Sequence, residues 1–116
     1  MISVRAPARP PGPGGGATMS AMHTRVMTVF GTRPEAIKMA PVVAELRKRP
    51  ETEVVVVVSG QHREMLRQVL ALFDIQPDLD LAVMSARQPL HDLLARIVAG
   101  VGDALSRIRP DLVLVH

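Results

Sequence analysis

Two short stretches of this 116-residue chain bring together residue types that could do chemistry. The first is Gly31-Thr32-Arg33-Pro34-Glu35-Ala36-Ile37-Lys38, which follows a short apolar run directly. Gly31 permits a tight turn and the close approach of a ligand to the backbone. Thr32 is a good helix N-cap, and Glu35 three residues later completes a capping-box pattern. Free N–H groups at a helix start favour phosphate. Arg33 suits bidentate contact with such a group and Lys38 acts as a point charge. The same residues would also serve merely to start a helix and carry two solvated cations. Two cations beside a helix start favour the anion site. The string is not GxGxxG, which argues against a nicotinamide dinucleotide.

The second stretch is Ser59-Gly60-Gln61-His62-Arg63-Glu64. A lone histidine after a strand is more often a hydrogen-bonded loop residue than a catalyst. The four histidines, at 23, 62, 91 and 116, have no spacing that suggests a metal. Arg87 is by default a solvated charge, and no Ser/His/Asp set can be assembled. Met27, Met39, Met65 and Met84 read as core filler.

The elements that must position these residues follow from the apolar pattern. Residues 26–30 form a β-branched run that stops at Gly31, as a buried strand would. Residues 33–49 have Ile37, Ala40, Val43, Ala44 and Leu46 near helical spacing, with a kink or break expected at Pro41. Residues 53–59 contain five consecutive valines, the mark of a strand covered on both faces. Helical spacing returns over 63–73 through Met65, Leu66, Val69, Leu70 and Phe73. A third strand is expected over 79–83. Residues 90–108 form a long amphipathic helix with Leu90, Leu93, Leu94, Ile97, Val98, Val101, Leu105 and Ile108 on one face. Pro110 and Asp111 end it, and 112–115 read as a fourth strand. The order βαβαβαβ predicts an α/β fold, a Rossmann-like parallel sheet with helices on both faces. Ligands of such sheets sit at the carboxyl ends of the strands.

Composition narrows the possibilities. The net charge of +3 and a pI near 10.6 suggest nucleic acid at first sight. Without Arg5 and Arg9, however, the remainder carries only +1, its basic residues are interspersed with carboxylates, and Phe30 and Phe73 are its two aromatics. That leaves no stacking platform for bases. No apolar run approaches the ~18 residues needed to span a bilayer. With no cysteine there is neither a disulfide framework nor a thiolate zinc site. Residues 1–22 are Pro/Gly-rich and are expected to be a disordered extension, with Met19 or Met22 as an alternative start. The glycines at 12, 14, 15 and 16 lack the preceding strand that a phosphate loop needs. Residues 23–116 are expected to be a partial domain, since the fourth strand lacks its following helix.

The string VMTVFGTRPEAIKMAP (26–41), with GQHREMLRQVL (60–70), DLDLAVM (78–84) and PDLVLVH (110–116), resembles the bacterial non-hydrolysing UDP-N-acetylglucosamine 2-epimerases. The likeness runs from about Arg25 to His116. It implies the N-terminal part of a two-domain, glycosyltransferase-B-type fold, truncated here. The implied reaction interconverts UDP-N-acetylglucosamine and UDP-N-acetylmannosamine by eliminating UDP and adding it back. It needs neither metal nor nicotinamide cofactor, and the enzyme is a cytoplasmic homodimer serving polysaccharide biosynthesis. The resemblance makes Arg33 and Lys38 substrate-binding residues. It places Gln61, Glu64 and Arg87 at positions that touch a second, regulatory UDP-sugar, with Glu64 standing where some members have Gln. In the family VLVH is followed by Gly-Asp, and that Asp with later Glu and His residues supplies acid/base and phosphate-binding roles. No catalytic residue is therefore assigned in this chain, which is expected to be inactive alone. The alternatives are a nucleotide-binding Rossmann module, a glycosyltransferase donor-type half-domain without catalysis, and the product of an interrupted gene.

Overall fold

The computed structural model describes residues 2–5 and 23–116. Their elements run β1 (Ile2–Arg5), β2 (Thr24–Phe30), α1 (Arg33–Arg47), β3 (Thr52–Val58), α2 (Arg63–Leu72), β4 (Leu79–Asp80), α3 (Leu90–Ile108) and β5 (Leu112–Val115). The strands form one sheet in the order β1-β5-β2-β3-β4. From β5 through β4 all neighbours are parallel. Each parallel step is bridged by a helix, as parallel pairing requires.

The valine run shows how the sheet is covered. Val54, Val56 and Val58 point to one face with Val26, Phe30 and Leu114, where Ala36, Met39, Ala40 and Val43 of α1 meet Leu66, Val69 and Leu70 of α2. Val55 and Val57 point to the other face, packing with Met27, Val113 and the α3 residues Val101, Ala104 and Ile108. Alternation within an all-apolar strand thus feeds two cores. The α/β doubly wound architecture expected from the sequence is what the chain adopts.

Five details differ from expectation. Ile2–Arg5 pairs antiparallel with β5, Ile2 opposite Val115 and Arg5 opposite Leu112. The expected disorder therefore gives way to an edge strand at those four positions, and residues 6–22 lie outside the described ones. Pro41 neither breaks nor divides α1. It sits on the exposed side with Ile37, so water can replace the N–H that proline withholds from the carbonyl four residues back. Ile37, Met65, Phe73 and Met84 are 39–49% exposed rather than core. In α1 the buried stripe is instead Ala36, Met39, Ala40 and Val43, the i, i+3, i+4, i+7 set.

The third strand is only Leu79–Asp80. Asp80 Oδ1 accepts the Ala82 amide at 2.8 Å, and Ala82 takes φ +51°, an Asx-type turn that ends the ladder. Val83 is still buried and donates its N–H to the Ser59 carbonyl. Helix α3 is continuous as expected, but Leu90, Leu94, Val98 and Leu105 are exposed. Its sheet-facing side is narrower than the apolar stripe.

Candidate functional site

Strands β2, β3 and β4 progress in one direction across the sheet, whereas β5 returns to the other side of β2. The topological switch point therefore lies between β2 and β5, and the crevice at their carboxyl ends is where open α/β sheets bind ligands. The loop leaving β2 there is Gly31-Thr32, followed by the first turn of α1. Arg33 and Lys38 thus stand beside the switch point. Gln61 and Glu64 follow β3, one strand away, and Arg87 follows β4 at the edge. The sequence-derived residues all gather at one end of the sheet.

Arg33 and Lys38 are exposed, and neither forms an ion pair among the described residues. Their spacing of five on a helix turns them about 140° apart, from ~100° per residue. They flank the helix start instead of forming a pincer on one face. Glu64 is likewise exposed on the first turn of α2. Arg87 is exposed at a left-handed φ of +55°, unusual for a residue with a Cβ.

The amides at the start of α1 are not free. Glu35 Oε2 accepts hydrogen bonds from Gly31 N at 2.7 Å and Thr32 N at 2.9 Å. An internal carboxylate therefore occupies two of the backbone donors at the entry to the helix, where an anion would otherwise be drawn. Any anion site here depends on the Arg33 and Lys38 side chains more than on those two amides.

Gly31 is glycine for a reason different from ligand approach. The register pairs Phe30 with Val58, which brings Gly31 beside Ser59. A Cβ on Gly31 would fall 1.8 Å from Ser59 Oγ and 2.6 Å from Gln61 Oε1. The chain itself fills that space. Ser59 is 4% exposed, and its hydroxyl donates to Gln61 Oε1 at 3.0 Å. Ser59 N also donates to the Phe30 carbonyl at 3.0 Å, which joins the ends of the first two parallel strands. Gly60, at φ +87°, lies against the Asp80 carboxylate, which also pairs with Arg63 Nε at 3.0 Å. Reading the motifs separately misses Ser59 and Asp80. The signal that could find Ser59 is a small polar residue ending one strand opposite a glycine ending its neighbour.

Among the described residues no three metal-ligating side chains cluster, and no helix is long and apolar enough to cross a membrane. An open depression of about 370 Å³, lined by Arg67, Leu70, Asp74, Ile75 and Pro77 among others, lies at the far end of α2, away from these loops.

The family profile described as UDP-N-acetylglucosamine 2-epimerase matches residues 44–116. The chain is 53% identical over 92 residues to the UDP-N-acetylglucosamine 2-epimerase of Bacillus subtilis and 55% identical over 92 residues to that of Escherichia coli K12. Each match takes in 79% of this chain and 24% of the relative, so the chain spans about a quarter of the length of the curated relatives it matches. It superposes with a TM-score of 0.75 and 50% identity on the Neisseria meningitidis UDP-GlcNAc 2-epimerase solved bound to UDP-GlcNAc, covering 80% of this chain and 26% of that one. The S. aureus MnaA–UDP co-structure gives a TM-score of 0.69 at 41% identity, covering 76% of this chain and 23% of that one. The profile takes in well over half the chain, and the identities reach about one residue in two over 92 residues, so the chain belongs to the UDP-N-acetylglucosamine 2-epimerase family.

Proposed function

We propose that this chain supplies the nucleotide-binding opening of a two-domain, glycosyltransferase-B-type isomerase that interconverts UDP-N-acetylglucosamine and UDP-N-acetylmannosamine. In this reading Arg33 and Lys38 hold the diphosphate. UDP leaves the sugar by elimination and returns with inversion at carbon 2. Two cations at a leaving diphosphate stabilise charge as it develops there. Proton transfer at carbon 2 needs a positioned base and acid, and the described loops offer no carboxylate free for it beside Arg33, because Glu35 is engaged by two amides. Gln61, Glu64 and Arg87 form the set that would meet a second, regulatory UDP-sugar, and Gln61, beside Gly31, is the member of that set that would also reach the diphosphate held by Arg33. The whole protein would act as a cytoplasmic homodimer.

One observation carries this reading: α1, the helix bearing both cations, starts at the carboxyl end of β2, at the switch point between β2 and β5. The relatives solved with UDP-GlcNAc or UDP support the same class of ligand. Titrating UDP into the isotope-labelled 116-residue chain tests it. Amide shifts concentrated at residues 31–38 are expected. Shifts confined to the depression around Arg67 and Asp74 would refute the site.

A further inference from the structure

Ser59 is a buried hydroxyl that the proposed chemistry does not use. It ends β3, is 4% exposed, and lies against the backbone of Gly31 so closely that no Cβ fits between them. Among the described residues its side-chain hydrogen bond goes to Gln61 Oε1 at 3.0 Å. A buried polar group of this kind is costly unless it is satisfied, and here it is satisfied by the head of a residue facing the loops. Gln61 is half-buried, and its amide nitrogen has no hydrogen-bond partner among the described residues and is not enclosed. Since an amide head has one acceptor oxygen and one NH2 group, engaging the oxygen decides what remains. The NH2, a neutral double donor, is left to meet a ligand.

We infer that Ser59 is a positioning residue: its hydroxyl holds Gln61 so that the side-chain NH2 is presented as a fixed donor to an oxygen-rich ligand, a nucleoside diphosphate, at the carboxyl end of the sheet. This rests on the functional reading above. Gly31 is the third member of the device. Its missing side chain lets Ser59 reach the loop after β2, so the donor on the β3 loop is referenced to the loop that bears Arg33. Without the serine hydroxyl, Gln61 can rotate, and its oxygen can turn to the ligand in place of its nitrogen. An acceptor facing phosphate oxygens repels them.

The experiment is a double-mutant cycle on the 116-residue chain, with UDP affinity measured by calorimetry and the Gln61 side-chain amide followed by NMR. Ser59→Ala should weaken UDP binding about threefold to tenfold, the scale of one hydrogen bond. It should also collapse the Gln61 NH2 signals toward those of a freely rotating glutamine. Ser59→Thr keeps the hydroxyl and should restore both readouts. In a Gln61→Ala background Ser59→Ala should change affinity by less than twofold, because its effect passes through Gln61. A loss of equal size in that background would show a merely structural role and overturn the inference. So would Ser59→Ala binding UDP as the wild type does. If the wild-type chain itself fails to bind UDP, or Arg33→Ala leaves its affinity untouched, the functional reading falls and takes this inference with it.

Discussion

Arg25 and Asp111 exchange two hydrogen bonds across the β2–β5 boundary: Arg25 N donates to Asp111 Oδ2 at 2.8 Å, and Asp111 N donates to the Arg25 carbonyl at 2.8 Å. Val56 and Asp78 do the same between β3 and β4, with Val56 N to Asp78 Oδ2 at 2.7 Å and Asp78 N to the Val56 carbonyl at 2.8 Å. Both aspartates stand in a Pro-Asp-Leu triplet, residues 77–79 and 110–112. In each, the carboxylate substitutes for the backbone carbonyl that the entering chain does not yet supply to the ladder. Arg25 adds side-chain bonds to the Ile108 carbonyl at the end of α3 and to Glu53 on β3. One residue thus ties together the elements that flank the switch point.

The Pro-Asp-Leu device predicts an asymmetry between two substitutions. Asp78→Ala leaves the amide of Val56, a fully buried residue, without an acceptor and should cost about 1–3 kcal/mol. Asp78→Asn keeps an acceptor oxygen and should cost well under half as much. Urea unfolding of the two variants would decide. Equal losses would mean that the carboxylate contributes through its charge and not through this bond.

Glycine positions offer a test in which the sign changes along one chain. A Cβ at Gly60 would meet the Asp80 carboxylate at 2.6 Å and the Ala82 backbone at 3.0 Å, at a φ of +87°. Gly60→Ala should therefore destabilise by about 1–3 kcal/mol. Gly102 lies within α3 with nothing inside 4 Å of its added Cβ. Gly102→Ala should stabilise by about 0.5–1 kcal/mol, the helix propensity difference. A thermal melt showing both variants shifted the same way would contradict the local geometry at one of the two sites.

Glu35 ties the start of α1 to its own loop by accepting from Gly31 N and Thr32 N. Glu35→Ala should lower stability by about 0.5–2 kcal/mol, as loss of a cap does, and should speed exchange of those two amides with solvent. Hydrogen exchange by NMR reads this directly. Unchanged protection at residues 31 and 32 would show that other acceptors serve them.

The spans of α3 and β5 and the two-faced burial of the valine strand were legible in sequence because each rests on local periodicity. Pairing decided the rest. That Ile2–Arg5 joins the edge of β5 depends on a contact more than one hundred positions away in the chain, which composition cannot register. The exposure of Ile37 follows from the phase that Ala36, Met39, Ala40 and Val43 impose on α1, a small-residue stripe that hydrophobicity ranking undervalues. At the site, the capping-box pattern of Thr32 and Glu35 could be read from spacing. The seating of Ser59 against Gly31 could not, since it needs the register of β2 on β3.

The cations at the switch point should bind a nucleotide without performing the proton chemistry of carbon 2. Arg33 and Lys38 are exposed and without ion-pair partners among the described residues, so both can turn to an incoming diphosphate. Arg33→Ala should weaken UDP binding by about 1.5–3 kcal/mol, the scale of a hydrogen bond to a charged group. Lys38→Ala should weaken it by a smaller amount that grows as salt is lowered, because an exposed point charge is screened over about 10 Å at 0.1 M. Calorimetry at two salt concentrations separates the two contributions. Proton removal is different, because the carboxylate in the first turn of this helix, Glu35, is already bound to two backbone amides. The 116-residue chain, about a quarter of the length of its curated relatives, should therefore incorporate no deuterium from solvent at carbon 2 of UDP-N-acetylglucosamine. An NMR time course would show this as a persistent carbon 2 proton signal. Incorporation by the purified chain would mean that Glu35 leaves its amides during turnover, and Glu35→Gln would then abolish it.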